Sequence, residues 1–510
     1  MLRGVGWLFI QGIGARLVGL VSQIALARLL VPNDFGLFGL AGTVGAVVGM
    51  LADFGLQDVV LQRQKAVRYW ITSAFWASVV LGFTGMLVTL IVAPLASRIY
   101  SAPELLPILS IIALSLLVGA PAVVPTILMR AHLQFRQLAI WATLEIIATQ
   151  ALTVALAFSG LGAYSFVIPL PVIALARSVL FWRLTRPRVG ALRVRRVKQL
   201  LSRGVSLFGA RIVTTMVSQG DYFALGLVAS KSVVGAYYFG FKLAVQPLQL
   251  IGGSVTGVVF PVLAQMGRDQ VRQRAAAISA TRALAFVAMP CCFLQAALAE
   301  PILHLIVGHK WDSAIPIVQL LSIGLGFDAI AWIAGALLRA RGEFTLAFRY
   351  SVISAIMFFL AAFSGALLGS DKGVAVALCV ALYYALVTPW YSVLAFRQVG
   401  ISTLTVLGIY LLPATLALSS VGAGHLVASK LQYNGILRIC TTSTVGVVLY
   451  LVAVRVFVPG AWVALQSTLR AVTRRPAAAT GRLGSETIAP EVIGTRPEQG
   501  SAPTSGAEGK

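Results

Sequence analysis

The sequence predicts an all-α polytopic membrane protein with about fourteen transmembrane helices, and two observations carry this prediction. Hydrophobic residues make up 58% of the 510-residue chain and only 11% of the residues are charged, whereas a soluble domain carries roughly 25% charged residues. The apolar residues also form long blocks, each near the about 20 residues that a membrane-spanning helix requires. Such blocks are too long for barrel strands, and in lipid a helix satisfies its own backbone.

Fourteen apolar blocks are the predicted spans in chain order. They cover approximately residues 8–30, 37–61, 71–97, 105–129, 138–159, 162–183, 205–229, 234–263, 283–307, 314–338, 348–369, 373–396, 403–425 and 436–458. Arg16 interrupts the first block and no small-residue cleavage site follows it, so we expect a retained helix rather than a signal peptide. Prolines that interrupt blocks predict kinks; they are Pro121, Pro125, Pro169, Pro171, Pro247 and Pro290.

Basic residues lie in every second gap between these blocks. They are Arg63, Lys65, Arg68, Arg130, Arg136, Arg186, Arg188, Arg193, Arg195, Arg196, Lys198, Arg203, Arg268, Arg272, Arg274, Arg339, Arg341 and Arg397. By the positive-inside rule these gaps face the cytoplasm, and an even number of spans puts both termini there as well. The net charge of +24, from 40 Lys+Arg against 16 Asp+Glu, therefore predicts membrane topology rather than nucleic-acid binding.

The two halves of the membrane region resemble each other in loops as well as in spans. The matched pairs are 107–120 with 316–329, Arg130 with Arg339, Phe135 with Phe344 and Gly36 with Gly235. Chance likeness of apolar sequences is the alternative, but matched Arg, Pro and Phe favour a duplication. Each repeat holds an even number of spans, so we expect two parallel bundles that enclose a central cavity.

The predicted organisation follows from the repeat and from two changes in composition. It comprises a six-helix bundle at 1–184, a basic cytoplasmic linker at 185–204, a second six-helix bundle at 205–397, a final helix pair at 398–458 and a tail at 459–510. The tail is rich in Pro, Ala, Gly, Thr, Ser and Glu and has few large apolar residues, which predicts a disordered cytoplasmic extension.

Cysteine and histidine spacing predicts no metal site and no disulfide framework. The cysteines Cys291, Cys292, Cys379 and Cys440 lie inside apolar blocks, and the histidines His132, His304, His309 and His425 are too scattered to suggest a cluster. Tryptophans lie toward the span ends and predict an interface belt; they are Trp7, Trp70, Trp76, Trp141, Trp182, Trp311 and Trp390.

Several segments together resemble one transporter family. ALARLLVPNDFGLFGL at 25–40 and LADFGLQDVVLQR at 51–63 are similar to the opening of the polysaccharide transporter family, the Wzx-type lipid-linked oligosaccharide flippases of the multidrug/oligosaccharidyl-lipid/polysaccharide exporter superfamily. Further matches follow in order at 128–139, 160–168, 221–249, 258–266 and 308–323. The resemblance covers about residues 5 to 400. Each motif alone is weakly specific for the family, whereas the order and spacing of the motifs together are more specific.

The resemblance implies a location and a substrate. It implies a bacterial cytoplasmic (inner) membrane protein, not an enzyme, that exports undecaprenyl-diphosphate-linked repeat units for exopolysaccharide, O-antigen or capsule. Its partners would be that glycan substrate, the lipid bilayer and, in the same assembly route, polymerase and chain-length regulator proteins, with no nucleic acid. No cofactor is expected, although H⁺ or Na⁺ could drive the cycle.

Charges inside the predicted spans mark the candidate substrate site, because each costs about 2.5–3.5 kcal/mol at the bilayer centre. The deep charges are Arg16, Asp53, Glu145, Arg177, Arg211, Asp221, Lys242 and Asp328. Snorkelling toward the basic linker explains Arg177. For the others, cavity lining competes with interhelical pairing as the explanation.

The remaining deep charges suit a lipid-linked diphosphate and its sugars. Arg16, Arg211 and Lys242 are the predicted anion-binding residues, since Arg offers forked donors and Lys a point charge. Asp53, Asp221 and Asp328 would accept sugar hydroxyls or hold a coupling ion. Alternating access would follow from rocking of the two bundles.

Two other functions stay open at the level of sequence. A cation-coupled drug or metabolite antiporter of the same superfamily would need a compact cation site rather than a basic cavity. A membrane polysaccharide polymerase or ligase would carry catalytic residues in a sizeable exterior loop, whereas every predicted exterior gap is short and the chain has no GxSxG or phosphate-loop motif.

Overall fold

The computed structural model describes residues 2–62, 67–267, 269–431 and 435–459, and throughout these ranges the chain is helical apart from short turns, with no β-strand. The all-α fold class is therefore confirmed. All but the first residue of the predicted tail lies outside the described residues.

Eighteen α-helices and two 3₁₀ segments follow one another along the described chain. The first half contains α1 Leu2–Leu29, α2 Pro32–Asp53, α3 Leu56–Leu61, α4 Val67–Ile99, α5 Leu105–Gly119, a 3₁₀ turn Ala120–Ala122, α6 Val123–Ala131, α7 Phe135–Phe158, α8 Tyr164–Val167 and α9 Pro169–Thr185. The remainder contains α10 Val194–Val228, α11 Lys231–Ala244, α12 Gln246–Gln265, α13 Gln270–Val307, a 3₁₀ segment Gly308–Ala314, α14 Ile315–Ala340, α15 Phe344–Leu368, α16 Lys372–Arg397, α17 Thr403–Lys430 and α18 Gly435–Phe457.

Ten stretches of the described residues are long and apolar enough to cross a membrane. One of them, 270–340, contains both α13 and α14, which are separated by the 3₁₀ segment Gly308–Ala314. The number of fourteen crossings stays a prediction, although each predicted span falls on one helix or on a broken pair of helices.

Helix breaks coincide with three of the six prolines that the sequence marks. The helix changes at 120–122 beside Pro121, at Ile168 before Pro169 and at Val245 before Pro247, because proline lacks an amide hydrogen and its ring clashes with the preceding turn. Pro290 differs, since α13 continues through it without interruption.

The basic linker is only partly a loop. Residues 186–193 are non-helical, but helix α10 begins at Val194 and runs without interruption into the seventh predicted span. Val197 and Leu200 are buried against α3, α4 and α6, whereas Arg195 and Lys198 are exposed. Apolar residues at this spacing form one face of a helix, which explains why the linker extends α10.

Many of the helices pack against partners in their own half of the chain. Helix α1 packs on α7, α2 on α4 and α4 on α5, while in the second half α14 packs on both α13 and α16. Helices α17 and α18 pack on each other and on α13. Helix α11 is central, because it contacts α2 of the first half as well as α14 and α16. The proposed domain boundaries stay predictions.

Candidate functional site

Lys242 and Asp221 form the centre of the candidate site. Lys242 lies near the end of α11 and is exposed, although α11 packs against helices of both halves. Its ammonium nitrogen lies 5.3 Å from the centre of the Tyr238 ring, a distance at which a cation is attracted by the ring face. The Asp221 carboxylate on α10 is 1% exposed and interacts electrostatically with Lys242. The exposed Lys242 ammonium and the buried Asp221 carboxylate therefore lie close enough to interact.

Tyrosines surround Asp221. The Tyr237 hydroxyl donates to Oδ2 of Asp221 at 3.0 Å, and the Tyr222 backbone N–H donates to Oδ1 at 2.9 Å. The Tyr222 and Tyr238 rings lie 5.5 Å apart. The Tyr222 hydroxyl is buried and has no hydrogen-bond partner among the described residues. A buried, unpaired hydroxyl is costly, so this atom is available to a water, a cation or a substrate hydroxyl.

Asp328 belongs to the same polar region. Its carboxylate accepts a hydrogen bond from the indole N–H of Trp332, one turn later on α14, at 3.0 Å. Tyr384 on α16 interacts electrostatically with both Asp328 and Asp221. The structure therefore groups three of the six predicted site residues, Lys242, Asp221 and Asp328, within the second half.

Of the other three predicted site residues, only the side chain of Arg16 belongs to the described structure. Arg16, on α1, donates from Nη1 to the backbone carbonyl of Gln249 on α12, so it links the first half to the second. Asp53 is the last residue of α2 and Arg211 lies within α10, but their side chains lie outside the described part of the structure. Their assignment to the site stays a prediction.

One deep charge has a structural explanation. Arg177 on α9 pairs with Glu145 on α7, with Nη1 and Oε1 3.3 Å apart. The ion pair does not test whether Arg177 also snorkels to the interface, which stays a prediction. Two deep charges that neutralise each other between neighbouring helices need no substrate to account for them.

The two halves meet closely at the end of the molecule that the sequence predicts to be exterior. Gly36 of α2 and Gly235 of α11 lie in backbone contact: a Cβ atom at Gly36 would lie 1.8 Å from the Lys231 carbonyl oxygen, and one at Gly235 would lie 1.7 Å from that of Pro32. Only glycine permits such an approach of two helices. These are the two glycines that the repeat matches, so equivalent positions of the repeat contact each other.

Polar contacts also join the two halves at this end. The Lys231 ammonium donates to both carboxylate oxygens of Glu104 at 2.8 Å, across the two halves. Trp311 is fully buried and its indole N–H donates to the Ala27 carbonyl at 2.9 Å. Arg28 donates from Nε to the Ile306 carbonyl at 2.5 Å. Trp311 is therefore part of the contact between the halves, and the prediction that it belongs to an interface belt is wrong.

The end at which the two halves meet, with Gly36, Gly235, Glu104, Lys231 and Trp311, is called the closed end below. An aromatic cluster connects the closed end to Lys242. The Trp311 ring lies 5.0 Å from Phe35 and 4.2 Å from Phe239. Phe35 lies 6.5 Å from Tyr238, the ring beneath the Lys242 ammonium. Because packed aromatic rings are stiff and close-fitting, separation of the halves at this end has to disturb the rings beside the candidate site.

The Glu104–Lys231 ion pair makes the closed end sensitive to pH. The hydrogen bond from Lys231 lowers the pKa of Glu104. A carboxyl group whose pKa is lower in the folded state stabilises the fold above its unfolded-state pKa, and loses that contribution as the pH falls through the folded-state pKa. The side chains of Lys231 and Glu104 are 24% and 45% exposed, so the contribution is about 0–1 kcal/mol.

We expect Glu104→Gln to lower the melting temperature slightly at neutral pH. The wild-type and variant melting temperatures should converge as the pH falls through the folded-state pKa of Glu104. Glu343→Gln is the matched control, because Glu343 is exposed in a turn at the opposite end and should show no such convergence. Melting curves of the purified proteins across pH test this; a constant difference at every pH contradicts the ion-pair explanation.

Sequence reasoning missed two groups of residues. The tyrosines Tyr222, Tyr237, Tyr238, Tyr383 and Tyr384 were not predicted, although the doublets 237–238 and 383–384 inside spans were a visible signal. The prediction that the histidines are too scattered to cluster is wrong for two of them. Ligand atoms of His304, His309 and Asp312 all lie within 4.8 Å of one another.

Comparisons with known proteins agree with this architecture. The profile of a family described as "Polysaccharide biosynthesis protein" matches residues 25–316. The succinoglycan biosynthesis transport protein ExoT of Rhizobium meliloti (strain 1021) is 27% identical over 397 residues, which are 78% of this chain and 80% of the relative. The lipopolysaccharide biosynthesis protein WzxC of Escherichia coli (strain K12) is 23% identical over 377 residues, 73% of this chain and 76% of the relative.

A solved structure has the same fold. The structure described as "Lipid II flippase MurJ, inward closed conformation" superposes with a TM-score of 0.73 over 88% of this chain and 98% of that chain. The sequences are 14% identical, so the likeness shows the transporter fold alone.

Proposed function

Because this chain belongs to the polysaccharide biosynthesis protein family, we propose that it moves lipid-linked oligosaccharide repeat units across the cytoplasmic membrane. Undecaprenyl diphosphate is the proposed lipid carrier, and an exopolysaccharide, an O-antigen or a capsule is the proposed end product. The observation that carries the proposal is the family match over 25–316, together with relatives named as transport and polysaccharide biosynthesis proteins.

The diphosphate is the part of the substrate that most needs protein contacts. Removing it from water costs several kcal/mol per charge unless a cation compensates. Lys242 supplies an exposed cation on the central helix α11, and Arg16 supplies a guanidinium next to α12. We assign diphosphate binding to these two residues, with Arg211 as a third donor.

The sugars call for flat apolar faces and hydrogen-bonding groups. Tyr222 and Tyr238 present both beside Lys242, and Asp221 and Asp328 add acceptors for hydroxyl groups. Asp221 could instead hold the coupling ion, H⁺ or Na⁺, with the unpaired Tyr222 hydroxyl as a further ligand.

Export requires the closed end to open. The contacts that must separate are the Gly36–Gly235 crossing, the Lys231–Glu104 pair and the Trp311 hydrogen bond. Their replacement by contacts at the opposite end would expose the site to the other side of the membrane, which is alternating access. The protein acts as a transporter rather than an enzyme in this scheme, with both termini in the cytoplasm and a polymerase and chain-length regulator as its proposed partners.

Depletion of the protein in its own host tests the function. We expect lipid-linked repeat units to accumulate on the cytoplasmic face and surface polymer to disappear, with recovery on re-expression. Digestion of the lipid-linked sugars in inside-out and right-side-out vesicles measures their sidedness. Normal polymer in cells that lack this protein and any paralogue contradicts the proposal.

A further inference from the structure

A histidine–carboxylate cluster lies at the closed end, away from Lys242 and Asp221. The Nε2 atom of His304 lies 2.9 Å from Oδ1 of Asp312, and Nδ1 of His309 lies 3.2 Å from Oδ2. The two imidazole rings have their centres 4.5 Å apart. Nothing in the transport scheme requires three such side chains to converge, and the Asp312 carboxylate lies between the two imidazoles.

The donor set matches one class of ligand. Two imidazole nitrogens and a carboxylate are a common set for Zn²⁺ and for related first-row divalent ions, whereas Mg²⁺ and Ca²⁺ prefer oxygen ligands. A tetrahedral Zn²⁺ with bonds of about 2.0–2.2 Å holds its ligand atoms roughly 3.3 Å apart. All three ligand atoms already lie within 4.8 Å of one another, which is near the spacing that such an ion requires.

The exposure of these three side chains is compatible with a metal ion that has three protein ligands and a water molecule. The side chains of His304, His309 and Asp312 are 33%, 81% and 52% exposed, which leaves room for water at a fourth position. His304 lies in the last turn of α13, while His309 and Asp312 belong to the 3₁₀ segment Gly308–Ala314. An ion would therefore tie this segment to the end of the helix before it.

The tied segment contributes to the contact between the two halves. Lys310 and Trp311 lie between His309 and Asp312 in sequence, and both donate to backbone carbonyls of α1, at Arg28 and Ala27. A metal ion on the flanking side chains restricts the segment to the conformation that makes these contacts. By linkage, a ligand that binds the closed form better shifts the population toward it.

We propose that His304, His309 and Asp312 form a site for a divalent transition-metal ion of the Zn²⁺ class, and that the bound ion stabilises contact between the two halves at this end. The regulatory part rests on the proposed transport function, whereas the metal site itself does not.

Metal binding by the full-length protein, purified in detergent, tests the site directly. Co²⁺ is the spectroscopic probe and Zn²⁺ its competitor; we expect one equivalent of Co²⁺ per chain, with visible absorption bands that Zn²⁺ abolishes and Mg²⁺ does not. His309→Ala and Asp312→Asn should weaken binding by at least about tenfold, the lower end of what loss of an outer-shell partner costs. His132→Ala is the matched control, since His132 is exposed in a distant turn.

The outcomes separate the site from its role. Non-stoichiometric Co²⁺ binding, or equal binding by wild type and His309→Ala, overturns the metal site. If the site holds, Zn²⁺ should slow export in wild-type vesicles and leave His309→Ala unaffected. Export that Zn²⁺ slows equally in both proteins, or in neither, overturns the regulatory role while leaving metal binding intact. Absence of export by the wild-type protein without added metal contradicts the proposed transport function and not the metal site.

Discussion

Replacement of Lys242 by alanine is expected to abolish polymer export while the protein remains at normal levels in the membrane. Lys242 is exposed on the central helix, so its removal leaves no cavity in the packing. A hydrogen bond to a charged group contributes about 1.5–3 kcal/mol, which corresponds to a loss of roughly 10- to 100-fold in affinity for the diphosphate. Export is measured as surface polymer in a strain that depends on the variant.

Three further variants make the Lys242 experiment specific. Lys242→Arg keeps the charge and should retain part of the activity, with less than full recovery because the guanidinium has a different shape. Lys430→Ala removes an exposed lysine at the end of α17 and should export normally. Arg16→Ala should resemble Lys242→Ala. Export at the wild-type rate in both Arg16→Ala and Lys242→Ala contradicts the assignment of the anion site.

The fold class was predictable because a membrane imposes one dominant constraint on sequence. Long apolar blocks have to be helical in lipid, and the described chain is helical in these blocks apart from short breaks. The break beside Pro121 was predictable for the same local reason, since proline cannot donate to the preceding turn. The continuation of α10 into the linker was missed, because clustered arginines masked the apolar face formed by Val197 and Leu200.

Half of the candidate site was predictable, for an energetic reason. Asp221, Lys242 and Asp328 were identifiable because charges in spans are rare and costly. Their tyrosine neighbours were not, because tyrosine is ordinary in a membrane helix and only the packing of α10, α11 and α16 shows which rings converge. The pairing of Arg177 with Glu145 was not predictable, because only the packing of α7 against α9 brings these two charges together.

At the closed end, the sequence predicts which glycines are equivalent, and the structure shows how they are arranged. The repeat pairs Gly36 with Gly235 but does not show that the two residues touch. The structure shows that these two matched glycines lie in backbone contact between α2 and α11. Small residues at such a crossing allow the backbones to approach, and each added atom separates the helices.

Gly36→Ala is therefore expected to abolish export as severely as loss of Lys242. The added methyl group would lie 1.8 Å from the Lys231 carbonyl oxygen, so α2 and α11 have to separate and the Lys231–Glu104 and Trp311 contacts weaken with them. Gly42→Ala is the matched control, because it lies on the same helix with nothing within 4 Å of a Cβ atom. Alanine at an interior helical position stabilises the helix by about 1 kcal/mol relative to glycine, so Gly42→Ala should export normally.

Thiol accessibility distinguishes loss of closure from loss of folding in Gly36→Ala. Val234→Cys, at a buried position beside Gly235 on α11, reports on the closed end in a background whose four native cysteines are replaced by serine. A membrane-impermeant maleimide should label it faster in Gly36→Ala than in Gly42→Ala, with both proteins present at equal levels. Equal labelling together with normal export by Gly36→Ala contradicts the role of the glycine crossing, since a transporter whose closed state tolerates that methyl group does not depend on close approach of α2 and α11.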